Sequence, residues 1–160
     1  MKILRFMNEM TGRVDMNEFA ERTGIESHQI LSLMQELAKI GLLRKVGRGF
    51  AITEKGKNAL KATSPLPWDK RFDFFVAIDH PTGVSAAKVS EFYNLASSVA
   101  AASLEFHLDR GDFENWFRTS VGDPAFVDDL AKIKELSLKG EELRTALSKT
   151  LQKRYSLQAV

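Results

Sequence analysis

The stretch from Asp15 to Gly56 decides the fold of the first part of the chain. It contains the segments NEFAERTG (17–24), IESHQILSLMQELAKIG (25–41) and LLRKVGRGFAITEKG (42–56). The first two segments have helical patterns separated by a glycine-containing turn, and the third has two short apolar-rich runs around paired glycines. The order predicted is therefore helix, turn, helix and hairpin.

Two short helices are predicted in this stretch. Asn17 can accept a backbone N–H bond and start the first, which ends at Gly24 because glycine adopts the positive φ of a sharp turn. Either Glu26 or Ser27 opens the second helix, and the sequence leaves both possible. One apolar stripe of the second helix is predicted to face a core, and it contains Ile30, Leu33, Met34, Leu37 and Ile40.

The segment after Gly41 is predicted to form two strands, 42–46 and 50–53. Gly47-Arg48-Gly49 joins them, because glycines permit a tight turn and place a cation at its tip. Thr53 is predicted to cap a further helix over 54–62, anchored by Leu60.

The residues before this stretch complete the predicted unit. Residues 1–10 have the pattern of a short helix, broken at 11–13, and Val14 and Met16 are assigned to a short strand that pairs with the hairpin. The inward residues predicted for this first helix are Ile3, Phe6, Met7 and Met10.

The predicted order is typical of a helix-turn-helix followed by a wing. LAKIGLL (37–43) and GFAITEKG (49–56) resemble the end of the recognition helix and the second wing strand of archaeal and bacterial winged-helix regulators. The resemblance covers about the first third of the chain. It implies a winged-helix fold and an expectation of DNA binding, although some winged helices bind proteins instead.

Length and composition limit the classes of protein to consider. The 160 residues suffice for one medium domain or two small ones. No apolar run approaches the length of about 20 residues that spans a membrane, and no charged-then-apolar leader with a cleavage site is recognised, so we predict a cytoplasmic protein. The absence of cysteines excludes disulfides, and because the histidines His28, His80 and His107 are scattered, no metal or cofactor is predicted.

Charge and aromatic residues are divided unevenly along the chain. Residues 1–63 hold 11 basic and 7 acidic side chains, whereas residues 64–160 hold 12 and 14. Of the 15 aromatic residues, 12 lie at or after Trp68. The proline-containing segment 64–70 is therefore predicted to be a linker between a basic winged helix-turn-helix domain, 1–63, and a second domain, 71–160.

The second domain is predicted to be helical, so that the whole chain is mainly α with a small β-hairpin. Residues 72–78 fit either a short strand or a buried extended segment, and 79–83 are predicted to be a loop. Ser85 is expected to start a helix, which pauses near 97–102 and resumes at Ser103.

Two stop-and-start signals follow in the second domain. Gly111 is predicted to end one helix with Asp112 capping the next, and Gly122-Asp123-Pro124 repeats the pattern. The expected inward residues are Phe113, Trp116, Phe117, Phe126, Leu130, Ile133 and Leu136. A final helix is predicted over 139–155, with Leu143, Leu147, Leu151 and Tyr155 at steps of four.

Four short patterns in this half resemble a helical domain of unknown function found in archaeal proteins. They are Phe72-x-Phe74, Pro81-Thr82-Gly83, Ser103-Leu-x-Phe-His107 and Arg110-Gly-Asp-Phe-x-x-Trp116. The resemblance implies a fold over about residues 71–155, and it brings no established activity.

The predicted function is that of a duplex-DNA-binding transcriptional regulator acting as a homodimer. Recognition helix 27–40 would lie in the major groove and basic wing 44–50 on the backbone, while the second domain dimerises or senses an effector. The candidate base contacts are His28, Gln29, Ser32 and Gln35. The candidate phosphate contacts are Lys39, Arg44, Lys45, Arg48, Lys55 and Lys57.

The residues suggest three alternatives to DNA binding. The polar helix face and Leu31 could dock a protein partner instead. In the second domain, the aromatics could line a small-molecule pocket, although core packing explains them better. A local cluster could also be a metal or acid/base site, but its side chains point in different directions along a helix, so no catalytic residue is predicted. The cluster contains Glu105, His107, Asp109, Asp112 and Glu114.

Overall fold

The computed structural model describes residues 1–10 and 15–157 of a mainly helical chain with two small antiparallel hairpins. The chain divides into two compact units, Met1–Leu60 and Lys61–Val160. The predicted break at 11–13 and the predicted strand residue Val14 lie outside the described residues. In the described ranges, no helix has both the length and the apolar character needed to cross a lipid bilayer.

Three helices precede a hairpin and a further helix in the first unit as described. In chain order the elements are α1 (Lys2–Glu9), α2 (Met16–Thr23), α3 (Ser27–Lys39), β1 (Leu43–Val46), β2 (Gly49–Ile52) and α4 (Glu54–Thr63), the last of which continues past Leu60. One apolar core joins them, and its buried members are Ile3, Leu4, Phe6, Phe19, Ile30, Met34, Leu42, Leu43, Ala59 and Leu60.

The start of α2 differs from the prediction. Asp15 is the N-cap residue, and its side chain accepts a hydrogen bond from the backbone N–H of Asn17 at 3.2 Å. Asn17, the predicted cap, therefore lies inside α2. The strand predicted at Met16 is also wrong, because Met16 is the first residue of α2. Both aspartate and asparagine cap well, so the residue types alone favoured neither position. Gly24 ends α2 with φ 67°, as predicted.

The apolar stripe of α3 is narrower than its spacing indicates. Ile30 and Met34 are buried and Leu37 is partly buried, but Leu33 is 36% exposed and Ile40 is 57% exposed. The prediction that these last two face the core is wrong. Leu33 lies at the margin of the stripe, and Ile40 follows the last helical residue. The N-cap position is occupied by Glu26, which decides between the two starts left open.

The hairpin and the start of α4 are tied to the end of α3. The β1–β2 register pairs Leu43 with Ile52, which leaves Gly47-Arg48 as the turn. Thr53 caps α4 as predicted, because its Oγ1 accepts a hydrogen bond from the Gly56 N–H at 3.0 Å. The same hydroxyl donates to the Gly41 carbonyl, just after α3. The motif T-x-x-G thus joins three elements through short polar contacts.

The second unit contains a hairpin followed by helices. After a 3-10 turn (Trp68–Lys70), the elements are β3 (Phe72–Ala77), β4 (His80–Ala86), α5 (Val89–Ala96), α6 (Ala101–Arg110), α7 (Asp112–Trp116), a π-helical turn (Phe117–Val121), α8 (Pro124–Glu135) and α9 (Gly140–Tyr155). The extended segment 72–78 is therefore a strand over most of its length.

The loop predicted over 79–83 is wrong, because four of its residues belong to β4. Proline is tolerated there since each strand of a two-stranded hairpin has a free edge, and Pro81 lies opposite Phe75. The helix start predicted at Ser85 is wrong for the same reason, and α5 begins at Val89. Just before α5, the Ala87 N–H donates to Glu91 Oε2 at 2.8 Å, so the glutamate binds the N–H one residue before the N-cap, Lys88.

The segment predicted to be a linker, 64–70, forms hydrogen bonds within the second unit. The Leu66 N–H donates to the Ala87 carbonyl at 2.6 Å. The indole N–H of Trp116 donates to the Lys70 carbonyl at 2.8 Å. Both ends of the segment are therefore held to later parts of the same unit.

The helices of the second unit bury the residues that their periodicity predicts, with one exception. Phe113, Trp116 and Phe117 are buried, as are the four residues at steps of four in α9. Leu136 was predicted to face inward but is 64% exposed, because α8 ends at Glu135 before the stripe returns to the core. The prediction that Asp112 caps the helix after Gly111 is wrong. Asp112 is the first residue of α7, and its carboxylate faces His107.

Candidate functional site

The outer face of α3 presents a continuous polar surface. A helix turns by about 100° per residue, which places six polar side chains of α3 on one arc of about 120°. All of them are exposed, and they are His28, Gln29, Ser32, Gln35, Glu36 and Lys39. The four predicted base contacts are among them. Leu31, 51% exposed, and Leu33 flank this arc on either side.

The hairpin after α3 carries cations that make no internal pair. Arg44, Lys45 and Arg48 are exposed. In the described ranges, neither their side chains nor that of Lys39 forms a hydrogen bond or ion pair with another residue. These four predicted phosphate contacts therefore remain available to an external anion.

The two other predicted phosphate contacts are engaged within the unit. Lys55 Nζ donates to the Ile40 carbonyl at 2.7 Å, where a cation stabilises the C-terminus of α3. Lys57 Nζ lies 3.0 Å from Glu54 Oε1 in an exposed ion pair. Lys55 thus has a structural role that the sequence did not reveal, and the charge of Lys57 is partly offset.

In the second unit, α6 holds the middle of β3 through two buried polar side chains. Ser103 Oγ donates to the Phe75 carbonyl at 2.7 Å, and the Phe75 N–H donates to His107 Nε2 at 2.8 Å. Ser103 and His107 lie one helical turn apart, so they bind both backbone groups of a single residue. The β3–β4 register shifts on either side of Phe75, which frees these groups for α6.

The tautomer of His107 follows from its partners. Because Nε2 accepts from the Phe75 N–H, the proton lies on Nδ1 and is donated to Asp112 Oδ2 at 2.7 Å. Arg110 Nε donates to the same carboxylate oxygen at 3.1 Å. Both ring nitrogens of this buried imidazole are thus satisfied, and the ring is held in its neutral form.

The acidic cluster around His107 does not converge on one point. Glu105 Oε1 accepts from the Gly140 N–H at 2.8 Å, and Asp109 pairs with Lys139 at 3.4 Å. Within the described part of the chain, no group of three or more histidine, aspartate or glutamate side chains is arranged to hold a metal ion. His107 and Arg110 likewise make their hydrogen bonds within the second unit.

Burial lowers the pKa of His107, and the neighbouring Asp112 opposes that effect only in part. The unfolded chain therefore binds a proton at a pH where the folded chain does not. We expect the stability of the second unit to be complete above the ordinary histidine pKa of about 6.5 and to fall as the pH decreases below it. Urea unfolding between neutral and mildly acidic pH measures this loss.

A glutamine at position 107 provides the comparison for this pH dependence. His107→Gln should lower the stability at neutral pH and flatten its dependence over the same interval. His28→Gln, which changes an exposed histidine of the first unit, should leave the dependence measured for the second unit intact. An equal slope in wild-type protein and His107→Gln would contradict the assignment.

Ser103 and His107, which bind the backbone of Phe75, form a clamp on β3, and a cleft of about 350 Å³ opens beside it. Phe75, Phe106 and the hairpin-tip residue Ile78 supply apolar walls, and Arg110 and Asp112 lie at one side. Arg110 stacks on Phe106 with its guanidinium carbon 5.0 Å from the ring centroid. The aromatic residues of this half suggested a pocket only as an alternative to core packing, and no local pattern brought Phe75 together with Phe106, because the two lie about 30 positions apart in the sequence.

A second buried polar group lies at the start of α8. Asp123 is 2% exposed, caps α8 through the Phe126 N–H at 3.3 Å, and accepts from Arg154 Nε and Nη2 at 2.9 and 2.6 Å. The Tyr155 hydroxyl donates to it at 2.6 Å. Burial alone would raise the pKa of Asp123, but the bonds from Arg154 and Tyr155 outweigh it and hold that pKa below its ordinary value.

Comparison of the chain with known proteins finds no matching family model, no matching curated protein and no matching solved structure.

Proposed function

We propose that the first unit is a winged helix-turn-helix that binds duplex DNA. The observation that carries the proposal is the adjacency, in sequence and in the first unit, of an exposed polar helix face and a hairpin with three unpaired cations. Polar side chains on a helix can read base edges in the major groove, and cations beside it can neutralise phosphates. The element order α1–α2–α3–β1–β2 also supports the proposal.

The roles of the side chains follow from their chemistry. Gln29 can form two hydrogen bonds with an adenine edge, while His28, Ser32 and Gln35 can donate to or accept from neighbouring bases. Arg44, Lys45 and Arg48 contact phosphates of the flanking backbone, as does Lys39 at the end of α3. A homodimer would present two such helices to half-sites about one helical turn apart.

The proposal predicts a steep dependence of DNA affinity on salt. With a mixed-sequence duplex, the log–log slope should lose about 0.9 for each phosphate contact removed. The double variant Lys45→Ala/Arg48→Ala should therefore have a slope shallower by about 1.8 and at least about tenfold weaker binding at low salt. Fluorescence anisotropy over a salt series measures both quantities.

A matched variant separates local contacts from net charge. Lys149→Ala/Lys153→Ala removes two exposed cations from α9 in the second unit, and it should keep the wild-type slope. Gln29→Ala should keep the slope too, but reduce discrimination among duplexes selected from a random pool. A flat wild-type salt response, or equal slopes for the two double variants, would rule out the wing as the phosphate-binding element.

Protein docking by α3 is the second candidate function, and exposed apolar side chains favour it. Leu31 and Leu33 flank the polar face, and a partner surface could bury both. Leu31→Gln should then abolish binding of a stoichiometric protein partner. On the DNA-binding proposal, the same variant leaves the salt slope unchanged because it removes no charge.

A further inference from the structure

The cleft beside Phe75 combines apolar walls with unbalanced negative charge. Its volume of about 350 Å³ is in the range of small-molecule sites, which have mostly apolar walls and a few polar groups. Asp73 and Asp79 lie on its rim and are exposed. Neither carboxylate forms a hydrogen bond or ion pair with another residue in the described part of the chain.

The positive charge in the cleft is already neutralised. Arg110 is the cation among the lining residues, and it is paired with Asp112 at 3.1 Å. His107 is neutral because its Nε2 accepts from a backbone N–H. The carboxylates of Asp73 and Asp79 therefore leave the cleft with a net charge of −2.

The tip of the β3–β4 hairpin departs from the residue preferences of tight turns. The tip residues are Ile78 and Asp79, because Ala77 pairs with His80. The departure is Ile78, which is 67% exposed in a turn where glycine and polar residues are preferred, whereas aspartate is among the residues that tolerate the φ of 61° found at Asp79. Such departures concentrate at binding sites, where the side chains are needed for another purpose.

We propose that this cleft binds a small organic cation with a flat apolar body, such as an aromatic amine. The apolar body lies between Phe75 and Ile78, and the ammonium group is attracted by the negative charge that Asp73 and Asp79 place on the rim. The partly buried ring of Phe75 provides a further surface for the cation. The clamp formed by Ser103 and His107 fixes Phe75 so that its ring is in place before the ligand arrives. This inference is independent of DNA binding.

The test compares three probes of similar shape and different charge. Tryptamine, indole-3-acetamide and indole-3-acetate carry a positive charge, no charge and a negative charge at neutral pH. Titration of the full chain, followed by amide NMR shifts, should rank tryptamine tightest and indole-3-acetate weakest. The shifts should be centred on Phe75, Ile78 and Phe106. Equal affinities, or shifts centred elsewhere, would overturn the proposal.

Two double variants isolate the charge. Asp73→Asn/Asp79→Asn should weaken tryptamine binding by about tenfold, because it removes both rim charges, and leave indole-3-acetamide unaffected. Asparagine tolerates the positive φ at position 79, so the hairpin tip keeps its shape. Asp69→Asn/Asp128→Asn makes the same change at two exposed aspartates outside the cleft and should have no effect. Equal losses in the two variants would contradict recognition by the rim carboxylates.

The apolar wall has its own variant. Ile78→Ser should weaken binding of all three probes. Because the side chain of Ile78 is exposed, the substitution should leave the fold intact, and weaker binding would reflect the lost apolar wall. If no probe binds and Ile78→Ser instead converts a self-associating chain into monomers, the occupant is a second copy of the chain and the small-cation proposal is wrong. Sedimentation velocity distinguishes that result.

Discussion

Asp123→Ala is expected to destabilise the second unit by about 3–5 kcal/mol, the range found when one partner of a buried ion pair is removed. The substitution leaves the guanidinium of Arg154 and the hydroxyl of Tyr155 without their shared acceptor. It also removes the side-chain cap of α8. Trp68 and Trp116 both belong to the second unit, so tryptophan fluorescence during urea unfolding reports on this unit.

The control for this substitution is on the same helix. Asp128 is exposed, and Asp128→Ala should change the unfolding free energy by less than about 0.5 kcal/mol. Asp123→Asn keeps a capping oxygen but loses the charge, so it should have an intermediate effect. If Asp128→Ala costs as much as Asp123→Ala, the cluster with Arg154 does not stabilise the unit.

Acid should weaken the same cluster. Because the folded-state pKa of Asp123 is lowered, its contribution is complete above the ordinary aspartate pKa of about 3.9. The contribution is lost as the pH falls through the lowered folded-state value. Asp123→Asn should therefore lose less stability than the wild type over this acidic interval.

Gly56→Ala is expected to destabilise the first unit by about 2 kcal/mol or more, although alanine favours a helix over glycine by about 1 kcal/mol. A Cβ atom at this position would overlap the Leu42 carbonyl and lie 2.8 Å from Ile52 Cγ1. The Leu42 carbonyl is backbone and also accepts from the Thr53 N–H at 3.1 Å, so it cannot move aside cheaply. Amide hydrogen exchange along β1 and β2 measures the loss.

Whether Gly56→Ala lowers or raises the stability of the first unit decides between close packing and helix propensity as the dominant effect. Gly49→Ala is the matched control, because the nearest atom to its Cβ would be the Val46 carbonyl oxygen at 3.9 Å and its φ is outside the left-handed region. It should leave hydrogen exchange nearly unchanged. Faster exchange in Gly56→Ala alone supports close approach of α4 to the hairpin, whereas slower exchange would refute it.

Local signals predicted most helices of this chain. Gly122-Asp123-Pro124 ends one helical turn and begins α8 as its residue types require, and the spacing of Leu143, Leu147 and Leu151 predicted the buried side of α9. These signals depend only on neighbours in sequence. The partners of Asp123 lie 31 and 32 residues away, so no local pattern indicated them.

The sequence analysis did not predict β4, because residues that are common in turns also occur in the strands of a two-stranded hairpin. Proline and glycine at 81 and 83 usually indicate a loop, yet a hairpin with free edges accommodates both. In the first unit, the sequence predicted the exposed polar side chains of α3 but neither the exposure of Leu33 nor the bond from Lys55 to the Ile40 carbonyl. Charge and spacing predict which residues reach the surface, whereas a tertiary contact decides which cations stay free.

The attachment of Phe75 to α6 has an evolutionary consequence. Ser103 and His107 satisfy the backbone of β3 at a point where the ladder to β4 is irregular. The position of β3 on the core is therefore less dependent on the residues of β4. Among homologues, sequence changes and insertions should concentrate in β4 and the hairpin tip, whereas substitutions at positions 103 and 107 should be selected against.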